Sequence, residues 1–194
     1  MKFLAKNINS DIYTNELTYK SGADNSFLKL KLLNEQQNFC AYTEKYIQSN
    51  DSTEVEHFNP SKKDADNYFN YYTTLRSANE RKISKYNIYK DAAFFNDLFF
   101  QDAETFKSRV VYSDFEYIPV NDADKDAKDF IDYLGFNDDY LYSERIRHVE
   151  RLRVTLETFT DEQKIQYFRK FKSDLSYITA IEAAFNLELI HIIE

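Results

Sequence analysis

The sequence predicts an α+β fold that is mostly helical, with a few short strands, and composition is the first guide to this. Only two glycines and two prolines occur in 194 residues, so few positions interrupt a helix. The 16 tyrosines and 17 phenylalanines indicate a core built from rings rather than from Leu and Val. A chain of this length is expected to form one medium domain that buries a full core without disulfides.

Apolar periodicity and capping residues predict where the first helices lie. A helix is expected over residues 25–38, and another over residues 73–86 with cations in its last turns. The aromatic cluster at residues 94–100 is expected to pack on the core. A short helix over residues 122–135 begins with acidic residues and stops at Gly135, a residue type that favours the left-handed conformation after a helix.

Three further helices are predicted in the last third of the chain. Ser143 can cap a long helix with apolar residues at helical spacing. Thr160 and Gln163 have the spacing of a capping box at the start of the next helix. A last helix is expected to begin at about Asp174.

Short strands are expected at two places. The apolar run from Val55 to Phe58 contains Glu56 and His57, and a strand of this kind projects a side chain into a site. Residues 109–120 are rich in aromatic and β-branched residues and predict two short strands or an extended pair. Residues 1–20 have no clear pattern and are expected to form an arm.

Charge and cysteine content limit the classes of function. The net charge of −8 counts against general affinity for nucleic acid, because phosphate binding depends on Lys and Arg. The charge is uneven: residues 61–90 carry +4, residues 91–142 carry −9 and residues 143–172 carry +3, so a local positive surface can exist if the basic segments meet. The single cysteine rules out an internal disulfide and fits a cytoplasmic protein. No apolar run reaches about 18 residues, so no membrane span is expected, and the apolar run at the start is too short for a signal peptide.

One stretch in the first half of the chain collects the residue types that metal-assisted phosphodiester cleavage requires. His57 is a suitable general base, because the ordinary pKa of imidazole lies near working pH. Glu56 and the side-chain oxygen of Asn79 are oxygen ligands of the kind that Mg²⁺ or Mn²⁺ prefers. Asn70 can fix the orientation of the imidazole by a hydrogen bond. Lys82 shares a helix face with Asn79 and can reach a phosphate near the metal.

These residues resemble the motif of the HNH endonucleases, which have a ββα-metal fold. The family's motif has an acid–His pair, then an Asn, then an Asn or His followed by two residues and a Lys. Here Glu56–His57, Asn70 and the pair Asn79 and Lys82 stand in that order. The resemblance implies that His57 activates water, that Glu56 and Asn79 bind the metal, that Asn70 orients His57, and that Lys82 contacts phosphate.

Two flanking segments extend the resemblance from about Gln36 to Leu152. The segment Cys40-Ala41-Tyr42-Thr43-Glu44 is similar to the CxYCE signature of HNH proteins in anti-phage systems of the Septu-like and retron-linked kinds. Residues 130–152 resemble the tail of the same subfamily. In those systems an ABC-type ATPase accompanies the HNH protein, so the resemblance implies such a partner.

The resemblance also implies a domain organisation and a function. A small ββα-metal (HNH) core over residues 39–90 is expected to be embedded in a helical domain. An N-terminal arm and helix (1–38) precede it and a helical extension (91–194) follows it, in one compact unit with the core. The implied function is that of a metal-dependent endonuclease, with DNA as the expected target, serving as the effector of a prokaryotic defence system.

The sequence departs from the family at the structural zinc site. The family has two Cys-x-x-Cys pairs there, and three of the four positions are Thr43, Leu75 and Ala78 in this chain, which leaves Cys40 alone. A tetrahedral zinc needs four nitrogen or sulfur ligands, so no structural zinc is expected. Leu75 and Ala78 are expected to bury apolar surface instead. Cys40 is expected to be a small buried residue rather than a nucleophile.

Four cations are predicted to contact nucleic acid: Arg81 and Lys85 after Asn79, and Arg147 and Arg151 in the helix after Ser143. The alternative for the second pair is an ion-paired helix face, which is the ordinary role of such stripes. The neighbouring His148 is expected to be a solvated helix residue.

Two other functions stay open from the sequence. The chain can be a catalytically inactive HNH-fold subunit that serves interactions within an ATPase-containing complex, and the acidic charge balance favours a protein partner. The target can also be RNA rather than DNA, which nothing in the sequence decides.

Overall fold

The computed structural model describes residues 1–63 and 67–192. Its fold is α+β and mostly helical, as predicted from composition. In this part of the chain the α-helices are α1 (Asp11–Thr14), α2 (Ser26–Glu35), α3 (Arg76–Tyr89), α4 (Phe94–Asp97), α5 (Ala103–Arg109), α6 (Lys125–Tyr133), α7 (Asp139–Thr155), α8 (Asp161–Lys170) and α9 (Ile178–Phe185). The strands are β1 (Thr53–His57), β2 (Tyr71–Leu75), β3 (Val110–Ser113) and β4 (Glu116–Pro119).

The strands form two separate antiparallel ribbons, β1–β2 and β3–β4. In the first ribbon Glu56 pairs with Tyr72, and His57 pairs with Tyr71. Helix α3 begins at Arg76, directly after β2, so the chain runs strand, strand, helix in this region. The first ribbon contacts α2 and α3, and the second contacts α6 and α9.

The prediction that a helix begins at Thr73 was wrong, because β2 occupies that position. Tyr71, Tyr72, Thr73 and Thr74 are aromatic and β-branched residues that favour a strand, and they pair with β1 over five residues. The helical spacing of the apolar and basic residues after Leu75 predicts α3 correctly. That spacing does not show where β2 ends and the helix begins.

Other boundaries also differ from the predictions. Helix α2 ends at Glu35 rather than near residue 38, since the chain turns there through positive φ at Gln37 and Asn38. Helix α7 begins before Ser143, at Asp139. The helix predicted to begin at Asp174 is a short 3-10 turn, and α9 starts only after Tyr177, whose left-handed φ of 64° breaks the path.

Several local predictions are confirmed. Thr160 and Gln163 make the reciprocal bonds of a capping box at the start of α8. Gly135 follows α6 with φ +65°, as expected of a glycine that ends a helix. Residues 109–120 contain β3 and β4. The cluster at 94–100 supplies four buried rings to the core, which are Phe94, Phe95, Phe99 and Phe100.

Residues 1–20 are part of the fold rather than a loose arm, which corrects the prediction. The ring of Phe3 stacks on Phe39 with centroids 4.6 Å apart. The carbonyl of Leu4 accepts a hydrogen bond of 2.9 Å from the hydroxyl of Tyr72. Ile12, in α1, is fully buried in a cluster with residues of α2 and β2. Isolated apolar residues carry no periodic signal, so the sequence did not show that these three are anchors.

Phe58 lies at the centre of the aromatic core. Its ring contacts six other rings, those of Tyr72, Phe94, Phe95, Phe100, Phe130 and Tyr133. The closest is Phe100, with centroids 4.4 Å apart. Because Phe58 follows β1 directly, this packing fixes the end of β1 against the helices that come after α3.

A buried carboxylate ties three distant parts of the chain together. Glu44 is 1% exposed and accepts hydrogen bonds from the backbone N–H of Lys2 at 2.6 Å and from Thr179 through both its N–H and its hydroxyl. It also accepts a bond from the hydroxyl of Tyr117 in β4 at 3.3 Å. Burial opposes ionisation of Glu44, but the α-amino group of Met1 and the Thr179 bonds outweigh it, so the pKa of the carboxyl is lowered.

No helix within the described residues is long and apolar enough to cross a membrane.

Replacing Phe58 with Ala is expected to lower the free energy of unfolding by about 3–5 kcal/mol, because a buried ring is lost and a cavity remains. Phe27→Ala is the matched control, since Phe27 is 62% exposed and its loss is expected to cost under about 0.5 kcal/mol. Urea unfolding followed by circular dichroism measures both. Equal costs for the two variants would show that the ring cluster does not stabilise the core as described.

Glu44→Gln is expected to lower stability at pH 7 by about 2 kcal/mol, since charge-assisted hydrogen bonds are lost. The folded-state pKa of Glu44 is lowered, so its carboxylate contributes stability above the unfolded pKa of about 4.3. That contribution is lost as the pH falls through the folded-state value. The stability difference between wild type and variant should therefore shrink below about pH 4. The exposed Glu116→Gln serves as control, and a difference that stays constant with pH would contradict this.

Candidate active site

The predicted site residues lie on β1, at the start of β2 and on α3. Alternation along a strand points Glu56 and His57 to opposite faces of the β1–β2 ribbon. Glu56 faces α3. The ring of His57 faces the other side, where it makes edge contacts with Tyr19 and Tyr71 at centroid distances of 4.7 Å and 5.6 Å. The acid and the base of the motif are therefore neighbours in sequence, but their side chains enter different surroundings.

Lys82 lies inside the protein and is ion-paired with Glu56. Its side chain is 1% exposed, and that of Glu56 is fully buried. The Lys82 ammonium donates to Glu56 Oε2 and, at 2.6 Å, to the carbonyl of His57. Burial raises the pKa of Glu56, and the attraction of Lys82 opposes this without cancelling it. In this structure the Lys82 ammonium therefore contacts the Glu56 carboxylate. Its contact with a substrate phosphate stays a prediction.

Asn79 also faces the ribbon, one turn before Lys82 on α3. Its Nδ2 donates to Glu54 Oε1 at 2.8 Å, which fixes which way the amide points. Its Oδ1 is buried and has no hydrogen-bond partner, and the same is true of Glu56 Oε1 and Thr74 Oγ1. Glu54 and Thr74 pair across the ribbon and share the face that carries Glu56.

Asn70 clamps the chain just after His57. Its Oδ1 accepts a bond of 2.7 Å from the N–H of Asn59, and its Nδ2 donates to the carbonyl of Asn59 at 3.1 Å. The backbone of Phe58 also pairs with Asn70, through an N–H to carbonyl bond of 2.8 Å. Asn70 thus positions the turn that follows β1, and its orientation of the His57 imidazole stays a prediction.

The oxygen atoms on the α3-facing side suit a hard divalent cation in their chemistry. Carboxylate and amide oxygens are the ligands that Mg²⁺ and Mn²⁺ favour, and Glu56 Oε1 and Asn79 Oδ1 are buried without hydrogen-bond partners. The ammonium of Lys82, however, already occupies the carboxylate. Across residues 1–63 and 67–192, no group of three or more His, Cys, Asp or Glu side chains is arranged to hold a metal ion.

The positions that the HNH resemblance assigns to a zinc site lie at the Cys40 turn and at the start of α3, and these two segments pack together. Cys40 Sγ accepts a hydrogen bond of 3.4 Å from the N–H of Leu75. Cys40 and Ala78 are buried in one cluster, with Leu75 packed against it, and Thr43, which follows Cys40 in the same turn, is also buried. Burial is the main reason that the pKa of the Cys40 thiol is raised. Apolar contact therefore joins the Cys40 turn to the start of α3, as predicted.

The cations predicted on α3 contact other parts of the protein. Lys85 donates to the carbonyl of Asp132 at 2.8 Å and to the carboxylate of Asp138 at 2.8 Å. Arg81 lies over the ring of Tyr140, 5.5 Å from its centroid. Both side chains are half-buried and bind α3 to the acidic segment that follows it, so their contact with nucleic acid stays a prediction.

The cations predicted on α7 are exposed and lie within ion pairs. Arg147 is 3.5 Å from Glu144, and Arg151 is 3.1 Å from Asp174. His148, expected to be solvated, is instead half-buried: its Nε2 bonds the carbonyl of Asp174 at 2.9 Å. Burial lowers the pKa of His148, and its Nδ1 lies 3.2 Å from the Arg151 guanidinium. The geometry of Arg147 and Arg151 on α7 is therefore that of an ion-paired helix face, the alternative given by the sequence.

Lys6 lies close to the site, and no sequence pattern predicts this. Its ammonium donates to the carbonyl of Tyr71 and lies over the rings of Tyr68 and Tyr72, 4.3 Å and 4.0 Å from their centroids. Burial lowers the pKa of Lys6 to about 7, although the charges of Glu35 and Glu56 oppose the shift. Because residues 1–20 show no periodic pattern, the sequence does not indicate that Lys6 is buried among aromatic rings.

Comparison of the chain with protein-family models, with curated proteins and with solved structures finds no match.

The thiol of Cys40 is expected to be inert in the folded protein, because it is fully buried and its pKa is raised, so little thiolate is present at pH 8. A thiol-reactive chromogenic disulfide should label less than a tenth of Cys40 in native buffer within the time that gives complete labelling in urea. Rapid native labelling at the denatured rate would show that the Cys40 turn does not pack on α3 as described.

Proposed function

We propose that the protein is a metal-dependent endonuclease of the HNH type, acting on nucleic acid, with DNA as the expected target. The observation that carries the proposal is the convergence of the Cys40 turn with Leu75 and Ala78 at the start of α3, across about 35 residues of sequence. Beside this contact lie two antiparallel strands and a helix in the order that the HNH resemblance implies. The acid–His pair ends the first strand, and Asn79 lies on the helix.

In this proposal His57 is the general base that takes a proton from the attacking water. It ends β1, where the chain leaves the ribbon, and the Asn70–Asn59 bonds hold the turn that follows. Glu56 Oε1 and Asn79 Oδ1 would hold the divalent cation, since both are buried oxygens without partners. The bound cation would neutralise charge on the phosphate.

The acidic character of the chain supports dependence on a partner. With a net charge of −8, and with Lys85, Arg147 and Arg151 in ion pairs, little positive charge is left to bind phosphate without assistance. An ABC-type ATPase partner in a prokaryotic defence system, as the resemblance implies, would supply the missing contacts to nucleic acid. The cytoplasm is the compartment in which such an effector would meet its target.

A second candidate function is that of a catalytically inactive HNH-fold subunit in an ATPase-containing complex. The separation of Glu56 from the His57 ring, on opposite faces of the ribbon, favours it, and so does the Lys82 ammonium on Glu56. In that case the β1–β2–α3 unit serves as a scaffold.

Cleavage of supercoiled plasmid in Mg²⁺ or Mn²⁺ tests the proposal. His57→Ala is expected to reduce the rate by about 100-fold or more, because a positioned general base contributes about 10²–10⁴. His191→Ala is the matched control, since His191 is exposed and far along the chain, and it should cleave at the wild-type rate.

Each other result points elsewhere. Cleavage that persists unchanged in His57→Ala contradicts the catalytic assignment. Absence of cleavage by the wild type, even with an ATPase partner supplied, favours the inactive scaffold. Cleavage of RNA but not of plasmid would keep the chemistry and change the target.

A further inference from the structure

We infer that Lys82 acts as a built-in cation that keeps the Glu56 site closed, so that a divalent cation binds only when the Lys82 side chain withdraws. The inference deepens the proposed function and rests on it in one respect, namely that Glu56 and Asn79 are the metal ligands. It concerns how that site is regulated, not whether the chain cleaves nucleic acid.

The first observation is the oxygen environment of the Lys82 ammonium. It is held by Glu56 Oε2 and by the carbonyl of His57 at 2.6 Å. A carboxylate and a backbone carbonyl are also ligands that a hard divalent cation takes in proteins. Lys82 therefore occupies a position where an ion with oxygen ligands would be expected.

The second observation is that acceptor capacity remains unused on Glu56 itself and on Asn79, one turn before Lys82 on α3. Glu56 Oε1 and Asn79 Oδ1 are both buried without a hydrogen-bond partner. Buried polar atoms are normally paired, and Asn79 cannot reverse its amide without losing the bond from its Nδ2 to Glu54. These two oxygens, added to the two acceptors that Lys82 already uses, would offer a divalent cation more ligands than the ammonium takes.

The third observation is that the ammonium and a divalent cation exclude each other electrostatically. Lys82 is 1% exposed, and the carboxylate is fully buried, so solvent screens their charges weakly. A second cation on the same carboxylate would lie close to the Lys82 ammonium and be repelled by it. Withdrawal of the Lys82 side chain from Glu56 would open the site.

Calorimetric titration of Mn²⁺ into the full chain and its variants tests this, together with the shift in melting temperature that Mn²⁺ causes. Lys82→Met keeps the volume of the side chain and removes the charge. We expect it to bind Mn²⁺ at least 10-fold more tightly than wild type and to show the larger upward shift. Lys85→Met, one turn further along the same helix, should behave as wild type.

A double variant checks that the carboxylate is the ligand. Glu56→Gln combined with Lys82→Met removes both charges from the interior, and it should fold without gaining affinity for Mn²⁺. Equal affinity of wild type and Lys82→Met would overturn the inference, as would tight binding by the double variant. If Lys82→Met is unfolded alone, it should fold in millimolar Mn²⁺, and failure to fold there counts against the inference.

Amine labelling of the wild type measures directly whether the Lys82 side chain becomes exposed. Mass spectrometry should find Lys82 unlabelled without metal and labelled several-fold more once Mn²⁺ saturates the protein, with Lys85 unchanged. Saturation by Mn²⁺ without any increase at Lys82 would overturn the inference. Metal binding that follows these expectations in a chain that leaves plasmid intact, even with an ATPase partner supplied, would instead refute the proposed function alone.

Discussion

The buried ion pair between Lys82 and Glu56 is the interaction on which the centre of the structure depends. It joins α3 to β1 where neither group meets water, and the cost of removing both charges from water is high unless each keeps a partner. The carbonyl of His57 supplies Lys82 with a second acceptor. Few positions of α3 allow Lys82 to reach both Glu56 and the carbonyl of His57. The ion pair therefore fixes how α3 packs against the β1–β2 ribbon.

Aromatic rings and small side chains pack around the ion pair and stabilise the same part of the structure. Cys40, Leu75 and Ala78 meet at the start of α3, where apolar contact holds the Cys40 turn against the helix. Phe58 extends this packing from the end of β1 to the helical part of the chain. Glu44 adds a polar anchor that reaches α9. The candidate site thus stands on rigid support, which is a condition for precise catalysis.

Glu56 and His57 are adjacent in the sequence, but their side chains lie on opposite faces of the β1–β2 ribbon. Glu56 lies among oxygens and cations toward α3, whereas the His57 ring lies against Tyr19 and Tyr71 on the other side. An active enzyme must bring a substrate to the end of β1, where both can reach it. A scaffold needs no such approach, so the same separation explains why both functions are compatible with one fold.

The fold class and the features that depend on a few neighbouring residues could be predicted from the sequence alone. The capping box of Thr160, the end of α6 at Gly135 and the burial of the 94–100 rings follow from local chemistry. The extent of β2 and the burial of Phe3, Leu4 and Ile12 could not be predicted in this way, because each depends on pairing or packing with distant residues. The contact of Glu56 with Lys82, and the position of the His57 ring on the opposite face, arise only in the folded chain. A shift of one residue in register exchanges the faces of a strand, and a list of residues cannot contain that choice.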